Sequence, residues 1–69
     1  MGFNPEKECL KIKALLNEQG YKKDISRDMF GIATMQILGT PSRVKAGKWM
    51  DSFELFGFIT IKDEVVNFV

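Results

Sequence analysis

Proline and glycine mark out where this chain starts and stops its regular structure. Each of the two prolines follows a residue with a capping side chain, in Asn4-Pro5 and Thr40-Pro41. Asn and Thr accept hydrogen bonds from the free N–H groups of a first helical turn, and proline is favoured at the first helical position, so both pairs predict helix starts. Glycines at 20, 39 and 57 stand where the following patterns end. After Pro5, Cys9, Ile12, Leu15, Leu16 and Gln19 recur at spacings of three and four, the stripe of an amphipathic helix over 5–19. Lys7, Lys11 and Lys13 lie off that stripe. Tyr21 to Ile25 is a loop or a brief strand and reads better as a short extended segment, and Ser26 offers a cap to a second helix over 27–38, carried by Met29, Phe30, Ala33, Ile37 and Leu38 with Ile32 on its flank. A third helix over 41–56 turns Ala46, Trp49, Met50, Phe53 and Phe56 inward. Gly47 interrupts it at about 1 kcal/mol relative to Ala, a cost that close helix–helix approach would explain.

From Phe58 to Val69 the chain is β-branched and aromatic on both sides of Lys62-Asp63-Glu64, which predicts a hairpin over 58–69. A turn at Asp63-Glu64 pairs Ile61 with Val66, Thr60 with Asn67 and Ile59 with Phe68, so that one face is wholly apolar. Glu64 is a poor residue for the positive φ of a tight turn, and a slightly longer turn is the alternative. The expected fold class is therefore α+β and mainly helical, three helices followed by a C-terminal hairpin. It forms one domain over residues 1–69, large enough to bury roughly 60% of the surface of its unfolded chain.

Composition removes several kinds of function. The sequence has no His and one Cys, Cys9, so neither a disulfide framework nor a zinc cluster forms within one chain, and the commonest general base is missing. The nine acids form no recognisable catalytic pair, and the glycines fall in or at the ends of helices rather than in a phosphate-binding loop. We expect no enzyme, no cofactor and no metal. Met1 to Glu8 lack the basic and apolar regions of a signal peptide, and Glu6 stands where a myristoylation signal needs Ser or Thr. No apolar run reaches the ~20 residues that span a bilayer. One unpaired thiol fits a reducing compartment, so the expected location is cytoplasmic, with no membrane partner. Cys9, on the inward stripe, reads as a small buried hydrophobe rather than a redox sensor.

The net charge of +1 is unevenly spread. Residues 25–50 carry Arg27, Arg43, Lys45 and Lys48 against Asp28, a local +3, whereas residues 51–69 carry Lys62 against Asp51, Glu54, Asp63 and Glu64, a local −3. An anionic partner would sit on the middle of the chain.

Three features carry a resemblance. Ile25-Ser26-Arg27-Asp28-Met29-Phe30 looks like the start of the first helix of a helix-turn-helix unit, and Leu38-Gly39-Thr40-Pro41-Ser42 like its glycine-containing turn. Phe53-Glu54-Leu55-Phe56-Gly57-Phe58-Ile59 resembles the passage from a recognition helix into a first wing strand. In order and spacing the chain resembles a winged helix-turn-helix domain from Asn4 to Val69, nearest in length to small regulators of archaea, plasmids and viruses. The resemblance implies sequence-specific binding of double-stranded DNA by the third helix in the major groove, as a transcriptional regulator and a homodimer. On that helix and at its cap, Thr40, Ser42, Arg43, Lys45, Lys48 and Ser52 are the expected DNA-binding residues. Arg forks onto guanine O6 and N7, Ser and Thr suit phosphates, and Lys45 and Lys48 are spaced to reach one groove. The bland alternative is that these cations are a solvated face. Trp49, at core spacing, reads as a core-edge residue.

The wing departs from the pattern, because its tip is Lys62-Asp63-Glu64 and two acids repel phosphate. Either the third helix works with little help from the wing, or the domain is a winged-helix protein-interaction module that does not bind DNA. Leu55, Phe58, Val65 and Val69, left partly exposed, and an unpaired side on the last strand would serve a dimer or another partner.

Overall fold

A computed structural model describes residues 4–69; the Met1-Gly2 start, weighed above against lipidation, lies outside them. The order is α1 (Pro5–Glu18), β1 (Ile25–Ser26), α2 (Arg27–Leu38), α3 (Arg43–Leu55), β2 (Ile59–Lys62) and β3 (Val65–Phe68). The three strands form one antiparallel sheet in the order β1-β3-β2, giving the expected α+β, mainly helical, winged-helix-like layout.

The capping signals act as read at α1 and α2. The Lys7 N–H donates to Asn4 Oδ1 at 3.2 Å, and the Met29 N–H donates to Ser26 Oγ at 3.1 Å. They act differently at α3, which begins at Arg43 rather than Pro41. Ser42 is its cap, accepting from the Lys45 N–H at 3.2 Å, while Thr40 Oγ1 accepts from the Ser42 N–H at 3.3 Å. Serine is the better N-cap, and with it the turn takes four residues where two or three were expected. The far end of α3 closes at Gly57, whose φ of +82° lets the Gly57 N–H reach Glu54 O at 3.0 Å and the Phe58 N–H reach Phe53 O at 2.9 Å. That double bond satisfies two end carbonyls and turns the chain straight into β2. Phe56 therefore caps the helix instead of extending its inward stripe, and is exposed.

The hairpin register is the expected one: Ile59 opposite Phe68, Thr60 opposite Asn67, Ile61 opposite Val66. Its turn is the two-residue form, with Asp63 at φ +52° and Glu64 at φ +63°, so the right-handed twist of the strands prevails over the poor fit of two acidic side chains. The extended segment is shorter and later than expected, only Ile25 and Ser26, and it lies on the open side of β3. The last strand is consequently central rather than an edge. Asp24, at φ +51°, is held by a reciprocal clasp: its N–H donates to Asn67 Oδ1 at 2.7 Å, and Asn67 Nδ2 donates to Asp24 Oδ1 at 3.2 Å.

Ile12, Leu16, Ile25, Phe30, Met50, Phe53, Ile59 and Val66 form the buried core, drawn from every element of the chain. Thr34 is also fully buried, its hydroxyl donating to Phe30 O at 2.8 Å. Trp49 is half-buried at the core edge, 6.2 Å from the Phe53 ring, as its spacing implied. Gly47 is not a close-approach glycine, since a Cβ there would meet nothing within 4 Å. Gly47→Ala should therefore stabilise the fold by about 1 kcal/mol, a Tm gain of about 4–8 °C. Gly57→Ala, forced into the left-handed region, should cost about 1–2 kcal/mol. Thermal melts of the two variants should shift in opposite directions, and a lower Tm for Gly47→Ala would contradict the open space beside it.

Candidate nucleic-acid interface

With Ala46, Met50 and Phe53 buried, α3 turns Val44, Lys48, Asp51 and Leu55 directly outward. Lys45 and Ser52 lie on one flank, and Arg43, Gly47 and Glu54 on the flank toward α2. Of the six expected residues, Lys45 and Lys48 are exposed, and neither makes an ion pair among the described residues. Ser42 and Thr40 are half-buried, their oxygens engaged as acceptors in the turn, which leaves each hydroxyl proton to donate outward. The Ser52 hydroxyl donates back to Lys48 O at 3.1 Å, so its proton is spent within the helix.

Arg43 differs most from expectation. Its guanidinium donates to Asp28 Oδ1 of α2 at 2.7 Å, although both side chains are mostly exposed. An exposed pair of this kind is worth less than about 1 kcal/mol, so it steers the side chain without locking it. The bridge spans the mouth of a cleft of about 270 Å³ between α2 and α3, floored by Gly31, Ile32, Met35, Gly47 and Met50. Arg27 and Glu64 stand at the same mouth, 4.0 Å apart. Nothing in the sequence pairs residues 28 and 43, which meet only because the helices cross. Asp51 stands on the outward face three residues after Lys48, where helical spacing alone puts it, although the expected site held only cations and hydroxyls.

The wing tip does not project. The Arg27 N–H donates to Glu64 O at 2.9 Å, tying the turn to the start of α2. The charge order of α3 also runs against its own dipole. Arg43 and Lys45 occupy the first turn, where the helix end is already positive, and Glu54 the last, where it is negative. Each such placement costs about 0.3–1 kcal/mol at low salt.

Cys9 is buried, and desolvation pushes its thiol above the ordinary range, with the Lys13 ammonium opposing that rise. It is a poor nucleophile in this setting. The unfolded thiol ionises near its ordinary value of about 8.5 while the folded one stays neutral. Stability is therefore complete below that value and falls as pH rises past it. Melts from about pH 7 to about pH 10 should show the wild type losing Tm relative to Cys9→Ala, and parallel curves would refute it.

No known protein family, characterised protein or solved structure is recognisably similar to this chain.

Proposed function

We propose that this chain is a sequence-specific double-stranded DNA-binding protein, a cytoplasmic transcriptional regulator of the winged helix-turn-helix kind. It presents α3 to the major groove and acts as a homodimer. The observation that carries the proposal is the charge order of α3. Three cations, Arg43, Lys45 and Lys48, gather toward a helix N-terminus that is itself positive, an arrangement that weakens the isolated helix and favours a polyanion. A face kept only for solubility gains nothing from opposing its own dipole. The four-residue turn before the helix also leaves Arg43, Val44 and Lys45 exposed at its start, where a groove can reach them. Lys45 and Lys48 contact phosphates, Thr40 and Ser42 donate to phosphate at the turn, and Arg43 reads a base after leaving Asp28. Ser52, its proton engaged, contributes least of the six.

The second function, a protein-interaction module, is favoured by two observations: the acids at 63 and 64 on a turned-back wing, and the apolar Val44 and Leu55 on the same outward face as Lys48. Fluorescence anisotropy with mixed-sequence duplex at two salt concentrations separates the two. DNA binding predicts a steep fall of affinity with salt, flattened by roughly one unit of slope in Lys45→Ala and in Lys48→Ala, with equal losses on every sequence. Arg43→Ala should cost about 1–3 kcal/mol and relax preference at one position. Asp28→Asn should tighten duplex binding, since it removes a negative charge and frees Arg43. Absence of binding at about 50 mM salt, with silent cation variants and strong effects of Leu55 or Val65 substitutions on partner capture, would replace the regulator by the module.

A further inference from the structure

We infer that this chain pairs with a second copy of itself through the surface where the first half of α1 meets the ends of the hairpin, with Leu10 at the two-fold axis. The surface is apolar and continuous. Leu10 is 58% exposed, Val69 81% and Phe56 55%, and Phe58 and Phe68 are half-buried between them, with the Phe56 and Phe58 rings 5.8 Å apart. Between α1 and the strand ends lies an open hollow of about 330 Å³, walled on the helix side by Leu10 and Lys13 and on the sheet side by Phe58, Phe68 and Val69. Large apolar side chains gathered this closely on a small domain mark a surface meant to be covered.

The charges beside it point to a second copy as the cover. A two-fold interface must be self-complementary: whatever one chain presents, the other must answer from the same patch. Glu6 and Lys13 border the hollow on the same flank of α1, seven residues and so about 10 Å apart, with Leu10 between them. If α1 lies antiparallel on a second α1 about an axis beside Leu10, each Glu6 carboxylate meets the other chain's Lys13 ammonium, and the two Leu10 side chains meet at the centre. The Lys13 ammonium sits 5.6 Å from the Phe68 ring, at the rim of the hollow, where such a partner would find it. Pairing through the sheet is closed off by contrast. The Ile61 N–H on the open edge of β2 donates to Glu54 Oε2 at 3.3 Å, and β1 is two residues long. A specific dimer needs about 500 Å² or more from each chain, roughly a tenth of the 4649 Å² surface.

The inference deepens the regulator proposal, since it names the dimer interface, but it stands on its own measurement. Sedimentation equilibrium at low salt, without DNA, over about 1–100 μM should show two 7.9 kDa chains associating reversibly. Leu10→Asp should raise the dissociation constant at least tenfold while circular dichroism stays unchanged, because Leu10 is exposed in the single chain. Glu6→Lys and Lys13→Glu should each weaken the dimer about tenfold, because one substitution turns two attractions into two repulsions. Mixing these two variants should restore association, as each then supplies the charge the other lacks, and the double variant should dimerise nearly as well as the wild type. A chain monomeric throughout the range, a dimer indifferent to Leu10→Asp, or a mixture no tighter than either variant alone would each overturn the inference. A dimer behaving as described but lacking affinity for duplex supports this interface and removes the regulator proposal instead.

Discussion

Ile25 opposite Val66 is the contact on which the rest of the molecule depends. Both side chains are fully buried, and they join the connection after α1 to the last strand of the hairpin. Burying side chains of this size yields about 1.5–3 kcal/mol each. Polar contacts on either side remove any freedom of register: the Asp24–Asn67 clasp before the pair, and the Arg27 N–H on Glu64 O after it. Since α2 begins at the residue after β1, fixing β1 on the sheet fixes where α2 starts and which way it runs. The tight Gly39–Ser42 turn then passes that direction on to α3. The orientation of the outward helix is thus set by two strand residues paired with a hairpin that lies more than thirty positions beyond them in sequence.

Local rules made most of the architecture legible. The cap at Ser26, the length of α2, the glycine stops and the hairpin register all follow from chemistry within a few residues, and the structure agrees with each. Misreadings arose where two local rules competed or where a distant partner decided. At Thr40-Pro41-Ser42 the Pro signal and the stronger serine cap disagreed, and the cap prevailed. A two-residue strand has no periodicity to detect, so the extended segment expected over 21–25 settles at Ile25 and Ser26 only where β3 takes it up, and with that pairing went the expected free edge on β3. In the site, the exposure of Lys45 and Lys48 followed from the apolar stripe on the other side of their helix. The tether of Arg43 to Asp28 did not, because it depends on the angle at which two helices cross.

That tether alters how the basic end of α3 works. Lys45 and Lys48 offer charge at all times, which suits non-specific attraction and fast encounter. Arg43, the side chain best shaped for a base edge, is held by a carboxylate until a stronger anionic or acceptor surface competes for it. The exchange is close to balanced, because the bridge is exposed and weak, and the guanidinium keeps one hydrogen-bonded partner in either state. On a major groove this favours a division of labour. On the DNA-binding proposal, the lysines would hold the protein near any duplex, and Arg43 would leave Asp28 only where guanine O6 and N7 are presented at its reach.

The two ends of α3 face different problems, and its length keeps the solutions apart. Thirteen residues at 1.5 Å each separate the ends by about 20 Å. At the first end, cations accumulate at some expense to the helix, and their side chains stand exposed. At the other, the Gly57 closure directs the chain into β2 and leaves Phe58 facing Leu10 and Lys13 of α1 across the open hollow, with the exposed Phe56 ring 5.8 Å from it. Covering that apolar end with a second copy leaves the cationic end uncovered, and a two-fold axis there would carry two basic ends outward from a shared apolar centre. Two major-groove sites on one face of B-DNA lie about 34 Å apart, less than twice the length of α3. On the two proposals together, one short helix would serve both surfaces, because the three cations of α3 lie in its first two turns while Phe56 and Phe58 follow its last.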